Sequence, residues 1–242
     1  MSCDSDLLTD QDWKHFEHTV LVRHRLEEQY GNLDHQNETA SLGMWLFLAT
    51  EVMFFGTLFT ALFAYRHLYA EVFELASSRL NWQIGSINTV VLLVSSLFMA
   101  LGVHFVRANQ NKPLLRCLLA TALLGCCFLG LKSYEYYDDY HRGLVLGRHF
   151  HDAPLLAAGL APSQLPQVKL FLLLYWVMTA AHALHMVIGV AAVLVIAALA
   201  RNRHFDADYY GPVEVVGLYW HFVDVVWIFL LPSLYLLGTH LR

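Results

Sequence analysis

Charge is scarce in this chain of 242 residues: Asp, Glu, Lys and Arg make up 14 % of it, where an ordinary soluble domain carries about a quarter. The net charge is only -5, and the cations form no block, which argues against a nucleic-acid partner. Cysteine is too sparse and badly spaced for a scaffold. Cys3 stands in a polar tail, while Cys117, Cys126 and Cys127 fall in an apolar segment without C-x-x-C spacing, so neither a disulfide framework nor a zinc site is expected. An apolar run near the amino terminus is also missing. Asp4, Asp6, Asp10 and Asp12 come first, so no signal peptide is expected and insertion falls to internal segments. There is no repeat of 20 to 50 residues and no low-complexity tract.

What the chain has is apolar length: 57 % of its residues are hydrophobic. A bilayer core needs about 20 apolar residues per helix, and five stretches meet that length, at about 42–65, 84–106, 114–133, 170–200 and 215–238. The third is short, but can continue through Lys132 and Ser133 into "YEYYDDY", whose tyrosines suit an interface. The expected fold is all-α, a multi-pass bundle of five transmembrane helices. The acidic tail of residues 1–41 has Trp13, Phe16 and Val20 at helical spacing, which reads as a short surface helix. Residues 141–167, rich in Pro and Gly, read as an extended loop. The connection 107–116 holds three cations in ten residues, whereas 132–169 holds four in thirty-eight. That density places the amino terminus and tail in the cytoplasm, and five crossings put the carboxyl terminus outside.

Ionisable groups inside a membrane are functional candidates by default. Glu51 lies about 13 Å into the first span, near the midplane. It reads either as a titrating group in a proton or ion path or as a structural carboxyl at a helix interface. His182 and His185, three apart on one face of the fourth span, lie at a similar depth. They could ligate metal or haem, or hydrogen-bond across an interface. His221 and Asp224 share a face of the fifth span, where a carboxylate can fix an imidazole's tautomer or neutralise its cation. Glu51, His182, His185, His221 and Asp224 are therefore expected to contribute to one buried polar layer. Gly85, Thr89, Ser96, Ala100 and His104 form a stripe for close helix approach. Glu135 reads as solvated or as a cap on a lipid headgroup, and Arg201, Arg203 and His204 as anchors or contacts for anionic lipid.

In chain order, "LGMWLFLATEVMFFGTLF", "GSINTVVLLVSS", "LLGCCFLGLKSYEY", "MTAAHALHMVIG" and "GPVEVVGLYWHFVDVVWIF" resemble subunit III of the haem-copper oxidases, most closely the bacterial cytochrome c oxidase type. The resemblance covers almost the whole chain from the late tail onward, and implies the five-helix form, beginning at the family's third helix. It implies an accessory core subunit with no catalytic residue, metal or redox centre of its own, in the bacterial cytoplasmic (inner) membrane. Its partners would be catalytic subunit I, copper-bearing subunit II and a small subunit IV, which hold the haem and copper. Cytochrome c would be engaged only indirectly, in a proton-pumping oxidase that reduces O2 to water. The subunit would stabilise the catalytic subunit, bind phospholipid and support proton uptake. Glu51 corresponds to the family's buried carboxyl, and Glu51, Glu135, Arg201, His204 and Glu214 stand as lipid-contact candidates. The alternatives are a quinol oxidase or nitric oxide reductase-associated homologue and, more remotely, a b-type cytochrome. The family's usual Gly before the first histidine of the fourth helix is Ala180 here, which bears on how closely that helix approaches its neighbour.

Overall fold

The computed structural model describes residues 33–145, 161–205 and 209–236. The surface helix expected around Trp13, Phe16 and Val20 lies outside the described residues, as does most of the loop expected at 141–167. Among the described residues the regular structure is helical. It comprises α1 (Leu33–Leu68), the short α2 (Ala70–Ser77), α3 (Trp82–Arg107), α4 (Asn111–His141), a 3-10 turn (Pro162–Gln164), α5 (Leu165–Arg201) and α6 (Gly211–Tyr235). All but α2 are long and apolar enough to cross a bilayer.

The helices outrun the apolar stretches. α1 begins nine residues before position 42, and α4 continues to His141, because hydropathy marks the part in hydrocarbon while backbone hydrogen bonding carries the helix on. Local chemistry sets several ends. Asn81 caps α3, its Oδ1 accepting from the Gln83 and Ile84 amides. Asn109, at φ 55°, lies in the tight turn between α3 and α4 and takes the left-handed conformation that Asn tolerates. Pro166 and Pro212 occupy first turns, where a missing N–H costs nothing.

The long helices alternate in direction. At one end, Arg107 of α3 meets Glu214 of α6 at 2.6 Å, and Asn111 of α4 donates to the Ala200 carbonyl of α5 at 2.8 Å. α6 is the central element, packing on α1, α3 and α5. Its contact with α3 follows the expected stripe: Trp227 Nε1 donates to Thr89 Oγ1 at 3.1 Å, and His221 Nδ1 meets Ser96 Oγ at 2.6 Å. Trp220 also donates to Ser95 Oγ at 3.0 Å. The Trp220 ring is seated against Gly125 of α4 and Gly189 of α5. A Cβ on Gly125 would stand 2.7 Å from the ring and 2.8 Å from Val190, and one on Gly189 would stand 3.2 Å from the ring. Outward faces carry Leu46, Met53, Leu123, Leu184 and Phe229, as expected where the solvent is lipid.

Candidate functional site: two polar tiers in an apolar bundle

The first tier lies midway along the bundle. Glu51 of α1 and His185 of α5 meet with Oε2 3.2 Å from Nε2, both side chains being mostly buried. The imidazole is further held by its Nδ1, 2.8 Å from the Ala181 carbonyl. Phe55 packs edge-on against it and Tyr219 stacks on it, with the Tyr219 hydroxyl donating to the His185 carbonyl at 3.0 Å. A carboxyl and an imidazole in direct contact can share or pass a proton, and here they also tie the first long helix to the fourth.

The other expected members of the layer do not bond to this pair, although His182 and Asp224 are buried. His182 is 1 % exposed and lies between Phe128 and Trp227, at 5.4 and 5.1 Å between ring centroids. Neither of its nitrogens has a hydrogen-bond partner among the described residues. His221 turns to Ser96 instead of to Asp224. Asp224 is 3 % exposed; its carboxyl lies beside Ser96, but neither of its oxygens makes a well-formed hydrogen bond among the described residues. The local His221–Asp224 pair expected from spacing is therefore not formed. Both side chains lie near Ser96 of α3, and it is the imidazole that takes the short contact with its hydroxyl. No group of three or more His, Cys, Asp or Glu is placed to hold a metal among the described residues.

The second tier, at the end of the bundle opposite Arg107 and Glu214, centres on Lys132. Its ammonium is sealed, the side chain being 2 % exposed, and it donates to Glu135 Oε2 at 3.0 Å, Tyr235 at 2.5 Å and Tyr175 at 3.4 Å. The rings of Tyr136, Tyr175, Trp227 and Tyr235 surround it at 4.9 to 5.4 Å, a cation–π enclosure. Tyr175 reaches Asp139 Oδ2 at 2.9 Å and Glu135 Oε1 at 3.3 Å. Glu135, expected as solvated or as a headgroup cap, is 1 % exposed. It faces the core because an ammonium one turn away pairs with it there. Lys132, Asp139, Tyr175 and Tyr235 were not anticipated, although spacings of three and four put Lys132, Glu135 and Asp139 on one face.

The remaining candidates do not gather. Arg201 and His204 are exposed where α5 ends, with His204 beside Phe205 and Tyr209. Glu214 pairs with Arg107, whose guanidinium lies 5.1 Å over the Tyr210 ring. Beside that pair a hollow of about 560 Å³ also touches Asn37, Ser41 and Trp45. Trp45 joins it to an apolar groove between α1 and α6, lined by Leu48, Val52, Phe222, Val225 and His221. Ala180 is exposed on α5, so among the described residues it sets no helix approach.

A family model described as cytochrome c oxidase subunit III matches residues 27–143 and 169–239. Among curated proteins, the chain is 26 % identical to a probable quinol oxidase subunit 3 of Staphylococcus saprophyticus, over 84 % of this chain and 92 % of the relative. Proteins of the same description from Staphylococcus haemolyticus and Staphylococcus aureus are 24 % and 25 % identical, with the same coverage.

Proposed function

This chain belongs to the cytochrome c oxidase subunit III family of the haem-copper oxidases, and on that premise we propose that it is the accessory third subunit of a proton-pumping terminal oxidase that reduces O2 to water. The partners in this reading are a catalytic subunit and a second subunit, which carry the haem and copper, together with a small fourth subunit. The assembly sits in the bacterial cytoplasmic membrane, with the Arg107–Glu214 end inside. The single observation that carries the role is the contact of Glu51 with His185. It is a protonatable pair at mid-depth, built into an otherwise apolar wall, and suits a subunit that stabilises its catalytic neighbour and sustains proton supply to it.

The names of the relatives favour a quinol as electron donor over the cytochrome c expected from the sequence motifs. The description of the family model keeps cytochrome c as the second reading. Phospholipid contact fits the inner end best. A headgroup there would meet Arg107 and Glu214, with Arg201 and His204 on the same rim, while an acyl chain follows the groove below Trp45.

One assay addresses both donor and role. The purified complex is supplied in turn with a quinol and with reduced cytochrome c, and O2 consumption is followed across pH for the wild type and for Glu51→Gln. Quinol-driven turnover is expected, with Glu51→Gln retaining full haem content but slowing mainly at high pH. Turnover with cytochrome c alone overturns the donor assignment. An unchanged pH profile reduces Glu51 to a structural role.

A further inference from the structure

The Lys132 tier holds more acid than base. Lys132, Glu135 and Asp139 are all 3 % exposed or less, so one ammonium is sealed in with two carboxyls. The nearby Arg142 is committed at the surface to Asp138, at 2.7 Å. Among the described residues the facing helices bring phenols and one imidazole: α5 contributes Tyr175, Thr179, which holds the Tyr136 hydroxyl at 3.0 Å, and the buried His182, near enough to feel the Lys132 charge, and α6 contributes Tyr235 and Trp227. Glu135 has the ammonium at 3.0 Å, whereas Asp139 has a phenol, Tyr175, as its contact in the tier. Besides Lys132, the cation that acts on Asp139 among the described residues is Arg142, which is half in solvent and bonded to Asp138. A second full negative charge in this enclosure is therefore weakly compensated, and a poorly compensated buried ion is strongly disfavoured.

We propose that this tier is a proton-binding site, in which Glu135 and Asp139 share one exchangeable proton through the Tyr175 hydroxyl. The geometry provides the route. Asp139 lies one turn from the exposed end of α4 at His141 and Arg142. Tyr175 lies within hydrogen-bond reach of both carboxyls. A proton taken up at Asp139 from water at that end is passed to the Tyr175 oxygen as the Tyr175 proton moves to Glu135. The phenol stays neutral throughout, and the tier gains one positive charge, which it loses when the steps reverse. Lys132 holds the acceptor side in place through Glu135 and Tyr235, so uptake and release need no helix movement.

The test is infrared difference spectroscopy of the full chain, purified with its partner subunits and driven between two pH values in H2O and D2O. A protonated-carboxyl C=O band that shifts in D2O is expected in the wild type, lost in Asp139→Asn and moved in frequency with its intensity kept in Tyr175→Phe. The phenylalanine variant preserves ring packing and decides the matter if Asp139→Asn does not assemble. Carboxyl bands identical to the wild type in the assembled variants, or Tyr175→Phe leaving every carboxyl band in place, overturn the proposal. The site does not rest on the oxidase reading: the band present in a complex without oxidase activity would sink that reading alone.

Discussion

His221 reaches across to α3 through a 2.6 Å contact with Ser96, while Asp224, less than one turn further, buries its carboxyl without a bond to it. An interhelical hydrogen bond in a membrane contributes on average about 0.6 kcal/mol by double-mutant cycle. Ser96→Ala combined with His221→Phe is thus expected to show coupling of about that size in the unfolding of the detergent-solubilised chain. Asp224→Asn combined with His221→Phe should show none. Coupling in the second pair alone would restore the local pair that the spacing suggested. Spacing identified Glu51, His182, His185, His221 and Asp224 as intramembrane polar groups, because a lone charge or imidazole stands out in an apolar run. It did not reveal their partners. Ser96 and Tyr219 are ordinary residues until a second helix is laid beside them, and which of two neighbouring polar groups bonds to such a residue is decided by that packing.

Within α4, two glycines that look alike in the sequence stand in opposite surroundings. A Cβ on Gly125 meets Trp220 and Val190 at 2.7 and 2.8 Å, while one on Gly130 meets nothing within 4 Å. Gly125→Ala is expected to cost about 1 to 3 kcal/mol through overpacking, whereas Gly130→Ala should be neutral or gain up to about 1 kcal/mol from helix propensity. Thermal midpoints of the two variants check this, and equal shifts would mean that Trp220 is not seated between α4 and α5. The five spans were legible because about 20 apolar residues are needed to cross hydrocarbon and little else has that composition. The far end of α4 was legible only as a continuation with an open role. Lys132, Glu135 and Asp139 lower its hydropathy as though they faced water, yet they satisfy one another and two tyrosines inside the bundle. The short α2 was not foreseen, since its eight residues settle against α5 through contacts such as Phe73 on Phe171 at 5.2 Å, which a local pattern does not contain.

Across the whole molecule the two ends differ in character. One end carries Arg107, Lys112, Arg201 and Arg203 around the starts of α4 and α6, and the other buries Lys132, leaves Lys169 exposed and exposes Tyr134, Tyr137 and Tyr140. With the native cysteines replaced, Lys112→Cys is expected to react with a membrane-impermeant maleimide only in inside-out vesicles, and Ala161→Cys only in right-side-out ones. The opposite pattern would invert the orientation. α1 is the least enclosed of the spans, with 17 % of its most apolar window buried against 44 % for α6, and it is held by the Glu51–His185 contact and the aromatic side chains around it. Those partners are synthesised last. At 5 to 20 residues per second, the carboxyl of Glu51 enters the membrane on the order of ten seconds before His185 leaves the ribosome. Biogenesis of this bundle therefore includes an interval in which an acidic helix waits unpaired, open to capture by an insertase or by another subunit of the growing assembly.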